Sequence, residues 1–176
     1  ILNQTYSDFE LIIVNDGSQD KTEEIVLSYS DDRIKYLKNE TNLGICKTLN
    51  KGINVAKGRY IARMDSDDIS LPSRLGTQFI FMERHPNIVA AGSDIIIFGD
   101  GISPHLGAML HNPQECKAGL LFNSCFAHPS VIIRKEVLEK EHLIYKDEYK
   151  GLEDFELWWQ LAKYGDLTNI HKPLLK

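Results

Sequence analysis

The first hundred residues alternate short apolar, β-branched runs with amphipathic segments, and this pattern constrains the fold more than any other feature. Phe9–Val14 is one such run. The turn cluster Asn15-Asp16-Gly17-Ser18 stops it, so it reads as a buried strand. Asp20–Tyr29 follows, with Ile25, Val26 and Tyr29 at helical spacing behind Asp20 as an N-cap. Ile34–Leu37 forms a second strand, and Gly44–Ala56 a helix with Leu49, Ile53 and Ala56 on one face. Tyr60–Met64 is a third strand. Pro72–Arg84 is a helix entered through a proline in its first turn. Ile88–Phe98 is strongly strand-like, and Gly92 in its middle points to a bulge or a close approach. Strands alternating with helices imply an α/β fold: a mostly parallel, twisted sheet with helices on both faces.

Beyond residue 100 the pattern loosens. Gly99–Pro113, with its Gly, Pro and His residues, reads as a long loop, a frequent functional feature. A helix near Gln114–Leu121, a strand at Ser130–Ile133 and a helix around Lys135–Glu141 follow. A last helix begins near Asp154 and carries Leu157, Trp158, Leu161 and Ala162 on one face.

Composition narrows the function. A formal net charge of -5 without a basic cluster argues against a nucleic-acid partner. Cys46, Cys116 and Cys125 are odd in number and form no CxxC pair, which points to a reducing compartment and not to a disulfide framework or a zinc site. The opening residues do not form a signal peptide, and no apolar run approaches the roughly 20 residues that span a bilayer.

Two acidic turns follow directly on strands: Val14-Asn15-Asp16-Gly17-Ser18 and Met64-Asp65-Ser66-Asp67-Asp68. Ligands of open α/β sheets bind at the carboxyl ends of strands, so both turns are expected at one crevice. Carboxylates crowded into one turn repel each other unless a cation or a hydrogen-bonding ligand offsets the charge. Mn²⁺ and Mg²⁺ take oxygen ligands, and Mg²⁺ combines one or two carboxylates with substrate phosphates. The Asp65–Asp68 turn therefore reads as a place where a metal holds a diphosphate, against the alternative of a solvated loop. Asp16 fits an Asx-turn equally well. Arg63 and Arg74 flank the metal turn and are suited to phosphate oxygens or to structural ion pairs. His128 is a structural histidine or a site residue, and core packing suits at least one of Trp158 and Trp159.

The order of motifs closely resembles family-2 glycosyltransferases. Asn3-Gln4-Thr5-Tyr6 leads into Glu10-Leu11-Ile12-Ile13-Val14-Asn15-Asp16-Gly17-Ser18-Gln19-Asp20-Lys21-Thr22. Asn42-Leu43-Gly44, Leu49-Asn50-Lys51-Gly52-Ile53 and Ala56–Arg63 then lead to the Asp65–Asp68 turn. The likeness continues through Pro72-Ser73-Arg74-Leu75 and His128-Pro129-Ser130 to Glu153-Asp154, and so covers nearly the whole chain. It implies a single GT-A (Rossmann-like) domain over residues 1–176. The expected reaction is inverting transfer of a sugar from a nucleotide-diphosphate donor, with UDP the expected carrier, to an acceptor hydroxyl. By resemblance, Asp16 matches the nucleobase-binding aspartate, Asp65 the DxD carboxylate near the ribose, and Asp67 the ligand of Mn²⁺ or Mg²⁺. Asp154 matches the catalytic base, with an N-cap of the last helix as its structural alternative. Glu153 and His128 become candidates on the acceptor or diphosphate side, and Arg63 and Arg74 candidate donor contacts.

Two departures stand out. Many relatives carry arginine where this chain has Leu49, a contact that Lys47 or Arg63 would have to replace. Relatives also begin with an apolar strand and a turn that helps hold the nucleobase, whereas this chain opens midway through the following helix. The resemblance points to a saccharide or glycolipid acceptor in surface polysaccharide synthesis, and to a cytoplasmic location with peripheral association at the inner face of the membrane. A non-catalytic nucleotide-sugar-binding relative and a nucleotidyltransferase are the alternatives. The Glu153-Asp154 pair ahead of an amphipathic helix favours sugar transfer over both.

Overall fold

A computed structural model describes residues 1–176. The apolar run after Phe9 becomes β1 (Leu11–Asn15), and the next becomes β2 (Ile34–Lys38), paired parallel to it from Leu11↔Ile34 to Asn15↔Lys38. Between them lies α1 (Thr22–Leu27), entered where the Asp20 carboxylate accepts the Thr22 N–H at 2.9 Å. This helix buries no residue; Ile25 and Tyr29 face solvent, so α1 flanks the fold. The amphipathic segment after Gly44 is α2 (Ile45–Val55), which turns Leu49 and Ile53 onto the core.

The remaining strands form one sheet of β3 (Tyr60–Ala62), β4 (Ile88–Gly99), β5 (Ile102–Gly107), β6 (Ile132–Arg134) and β7 (Asp166–Leu175). At its centre, β4 pairs antiparallel with β6 and β5 and parallel with β7. On the far side of β6, β3 pairs with it antiparallel. The α/β class holds, with parallel pairing confined to β1–β2 and β4–β7; the expectation of a mostly parallel sheet does not hold for this five-stranded unit. The cause is β6, which enters between β3 and β4 and runs against both.

The apolar face of α6 (Glu153–Leu161) buries Leu157, Trp158 and Leu161 completely against Val89, Ala90, Ile133 and Leu167. Each such side chain stabilises the fold by on the order of 2 kcal/mol. Adjacent residues point the other way: Ala91 and Ile132 pack with Met82 of α3 (Arg74–Arg84). Ala90 and Ala91 of β4, like Ile133 and Ile132 of β6, thus face opposite sides of the sheet, and helices cover both. Two shorter helices, α4 (Pro113–Gly119) and α5 (Lys135–Lys140), lie near their expected positions. None of the helices is long and apolar enough to cross a membrane.

Two findings correct the sequence reading after residue 100. The expected long loop contains β5, which folds back on β4 as a hairpin (Ile95↔Gly107). β7 has no counterpart in the sequence reading, because buried Thr168 and Asn169 and an internal Pro173 break the apolar alternation of a strand. Its end carries weight in the fold: Leu71 donates to the Leu174 carbonyl, and Ile69 and Lys176 exchange backbone hydrogen bonds.

Gly92 answers the question its position raised, as a close approach. A Cβ there would lie 2.1 Å from Asn169 Oδ1 and 2.8 Å from Phe126 Cδ1. Asn169 cannot yield freely, since its amide donates to the Leu110 and Cys125 carbonyls. Gly92→Ala is therefore expected to cost about 1–3 kcal/mol, as overpacking does. Urea denaturation of the variant beside the parent chain measures the loss.

Candidate active site

The turn that ends β1 is tied down by its own carboxylate. Asp16 Oδ1 accepts from Asn39 Nδ2 at 2.7 Å and from the Leu43 N–H at 2.8 Å, while Oδ2 accepts the Gly44 N–H at 3.0 Å. Burial alone would raise its pKa; these donors, with Thr48, outweigh it and hold the carboxyl below the ordinary value. Gly17 fits beneath at φ 76°, where a Cβ would meet the Thr41–Asn42 backbone at 2.9 Å. The chain thus fastens Asn42-Leu43-Gly44 at the entrance to α2. Asp16 shares no hydrogen bond or ion pair with the second acidic turn.

That second turn, beyond β3, is built around two buried arginines. Arg63 grips Asp65 with both nitrogens, at 2.6 Å and 2.5 Å. Arg74, only 1% exposed, donates from Nη2 to the Arg63 and Pro129 carbonyls at 2.5 Å and 2.8 Å, and from Nε to Gln78 at 3.1 Å. Gln78 in turn donates to the Ser130 carbonyl at 2.6 Å. Burial pulls the Arg74 pKa down to about 10, with the Asp68 charge opposing that fall. The sequence leaves Arg74 open between a donor-phosphate contact and a structural role. Its enclosed guanidinium locks the acidic turn, α3 and the 128–130 turn to one another.

Asp65, Asp67 and Asp68 present carboxylate oxygens within 4.8 Å of one another. Asp67 is exposed. Asp68 Oδ2 is buried with no hydrogen-bond partner, and burial, with the charges of Asp65 and Asp67, raises its pKa. An orphaned carboxylate oxygen beside two further carboxylates fits a hard divalent cation held by oxygen ligands. Sequence reasoning named the whole turn but gave no role to Asp68, which its burial alone reveals.

Tyr145 gathers the remaining candidates, and no periodic pattern in its irregular segment could have signalled it. The Asn50 side chain clamps its backbone, donating to the Tyr145 carbonyl at 2.7 Å and accepting its N–H at 3.0 Å. Its hydroxyl shares a 2.9 Å hydrogen bond with His128 Nε2. Burial pushes the phenol pKa up; the Arg63 charge opposes this, while Asp154, Cys46 and Glu153 add to it. His128 thus bonds this hydroxyl, while Arg63, Glu153 and Asp154 act on it through their charges. Tyr145 also lines a cleft of about 410 Å³, with Cys46, Lys47, Asn50 and Lys146 among its other walls.

Asp154 is half-buried inside the first turn of α6, and Leu152 occupies the N-cap, which removes the N-cap alternative. Its Oδ1 accepts the Phe155 N–H at 2.8 Å, leaving Oδ2 without a partner in the chain. Glu153, by contrast, is pinned through Oε2 to the Gly151 N–H at 2.5 Å. Trp158 is wholly buried, edge-on to Phe126 and His128, whereas Trp159 is 41% exposed. Leu49 packs on the core, and Lys47 pairs with Asp147 at 3.5 Å.

Residues 1–141 match the sequence profile of Glycosyl transferase family 2. A glycosyltransferase of Haemophilus influenzae, itself uncharacterized, is 35% identical over 191 residues, covering 100% of this chain and 58% of that protein. The Escherichia coli UDP-Glc:alpha-D-GlcNAc-diphosphoundecaprenol beta-1,3-glucosyltransferase WfgD is 30% identical over 172 residues, 97% of this chain and 65% of WfgD. Staphylococcus aureus TarS 1–349, crystallised with UDP, superposes with a TM-score of 0.81 at 22% identity, covering 98% of this chain and 52% of TarS. The fold is GT-A. The chain belongs to glycosyl transferase family 2, and it spans less than two thirds of the length of the curated relatives it matches.

Burial, and secondarily the Arg63 charge, pull the His128 pKa from 6.5 down to about 3, so its imidazole is neutral in the folded protein. Between those values the unfolded chain binds a proton that the folded chain does not. Stability therefore falls as pH drops from about 6.5 toward about 3, with a limiting slope of about 1.4 kcal/mol per pH unit from this group. His128→Gln is expected to flatten that limb, read from urea midpoints across the acid range.

Proposed function

We propose that this chain forms the donor-binding and catalytic part of an inverting, metal-dependent glycosyltransferase. It moves a sugar from a nucleotide-diphosphate donor, with UDP as the carrier, to an acceptor hydroxyl. The observation that carries the reading is the cluster of three carboxylates with its orphaned Asp68 oxygen, together with Asp154, whose second carboxylate oxygen is free. Asp67, with Asp65 and Asp68 beside it, would hold Mn²⁺ or Mg²⁺, whose role is to offset charge on the departing diphosphate. Asp65, gripped by Arg63, stands on the ribose side. Asp16 supports the nucleobase side by fixing the Asn42-Leu43-Gly44 loop. Asp154 takes the proton of the acceptor hydroxyl, the step that turns a poor nucleophile into a competent one. His128 and Glu153 form the acceptor-side wall, His128 as a neutral hydrogen-bonding group.

The acceptor in this reading is a saccharide on a lipid carrier, the kind named for WfgD, reached at the inner face of the membrane by peripheral association. The single-domain reading, with a further strand completing the sheet, belongs to the same proposal. β1 pairs only with β2 and β3 only with β6, so each offers an open edge.

Asp67→Ala is expected to abolish Mn²⁺-dependent UDP binding in calorimetric titration while leaving the melting temperature unchanged or higher, since clustered carboxylates repel. Unchanged UDP affinity in that variant removes the metal assignment.

Asp154→Asn separates chemistry from binding. The amide cannot accept the hydroxyl proton, so transfer should slow by roughly a hundred- to ten-thousand-fold. Donor affinity and melting temperature should stay near the parent values, because Asp154 is not the N-cap and its near-isosteric amide can still accept the Phe155 N–H. Transfer at the parent rate would exclude Asp154 as the base.

A further inference from the structure

A second cluster of metal-ligating side chains lies outside this site, where β4, β7 and the segment after β5 meet. Asp94 is 1% exposed in the middle of β4. Its Oδ1 accepts the Met109 N–H at 2.9 Å and meets His111 Nε2 at 2.8 Å. Its Oδ2 is buried and has no hydrogen-bond partner, with His171 Nε2 3.9 Å away. The two imidazoles stack with centroids 4.1 Å apart, and ligand atoms of all three residues lie within 4.8 Å of one another.

The backbone is bent to make this meeting. Ser93 pairs with Ile170 and Asp94 with Pro173, so His171 and Lys172 bulge out of β7 with no opposite number on β4. Bulges re-aim side chains, and this one brings His171 to Asp94. His111 is held equally firmly: its carbonyl accepts the Thr168 hydroxyl at 2.6 Å, and the neighbouring Leu110 carbonyl accepts from Asn169 at 2.8 Å.

We propose that Asp94, His111 and His171 bind a divalent transition-metal ion of the zinc type, at a site distinct from the acidic turn. Two imidazole nitrogens and one carboxylate oxygen suit Zn²⁺, whereas Mg²⁺ and Ca²⁺ favour oxygen ligands. Ligands about 2.0–2.1 Å from a tetrahedral ion lie about 3.3 Å from one another. Each imidazole nitrogen stands near that spacing from its own carboxylate oxygen, His111 at 2.8 Å from Asp94 Oδ1 and His171 at 3.9 Å from Oδ2. The His171 side chain is 78% exposed, so an ion reaches the site from solvent, and water completes its coordination. The ion clamps the bulge of β7, the strand whose last residues hold Ile69 and Leu71 beyond the acidic turn.

The test is calorimetric titration of purified, untagged protein with Zn²⁺ alone, without nucleotide or Mn²⁺, alongside the visible d–d absorption of the Co²⁺-loaded form. One equivalent of Zn²⁺ is expected to bind. His111→Ala and His171→Ala should each weaken it by about tenfold or more and change the Co²⁺ spectrum, while Asp67→Ala leaves both readings intact. The exposed His171 side chain can be removed without disturbing the fold, which circular dichroism checks. Absence of Zn²⁺ binding, binding that survives both histidine variants, or binding lost in Asp67→Ala would each overturn the proposal.

Discussion

The guanidinium of Arg74 is a full positive charge enclosed in protein, and removing such a charge from water costs several kcal/mol unless it is fully partnered. Here the partners are the Arg63 and Pro129 carbonyls and the Gln78 amide oxygen, with the Asp68 carboxylate supplying opposite charge nearby. Three segments far apart in the sequence must hold their relative positions for those acceptors to converge. The backbone leaving β3, the first turn of α3 and the turn before β6 are thereby fixed together. Arg63, whose carbonyl serves Arg74, uses its own side chain to set Asp65. The acidic turn is thus a rigid unit whose carboxylates are pre-positioned at the cost of their mutual repulsion.

A second frame holds the segment that presents Tyr145. The Asn50 side chain exchanges two hydrogen bonds with the Tyr145 backbone, a side-chain imitation of strand pairing across 95 residues of sequence. Lys146 next to it binds buried Glu156 of α6 at 2.6 Å. The helix that carries Asp154 is consequently anchored both by its apolar face and through the segment that presents Tyr145. The two frames meet at His128, whose ring lies against Trp158 and whose following residue, Pro129, is held by Arg74 through its carbonyl.

β4 organises the rest. It is the one strand long enough to serve β5, β6 and β7 at once, and its small residues Ala90, Ala91 and Gly92 let layers approach closely on both faces. Where β7 bulges beside Asp94 the sheet departs from regular pairing, and at that departure a buried carboxylate and two imidazoles come together. Local irregularity and chemistry-bearing residues coincide there, as they do in the turn after β3.

How much of this could be read in advance follows from the range of the forces involved. Elements through residue 98 and the apolar stripe of α6 were legible because periodicity and turn chemistry are local properties of the chain. The acidic turns were legible for the same reason, since their carboxylates are neighbours in sequence. β7 was hidden: Thr168 and Asn169 are buried for their hydrogen bonds to the 110–125 region, a motive invisible without that region in place. The antiparallel course of β6, the enclosure of Arg74 and the meeting of Tyr145 with His128 were also undecided by the sequence. Each depends on which distant backbone groups arrive alongside, and a residue's type states what it can bond, not what will be within reach. The sequence alone determined the α/β class, the strand-end carboxylates and the family they resemble. Tertiary structure decided which charges are buried, and burial determines whether an arginine or an aspartate acts as scaffold or as ligand.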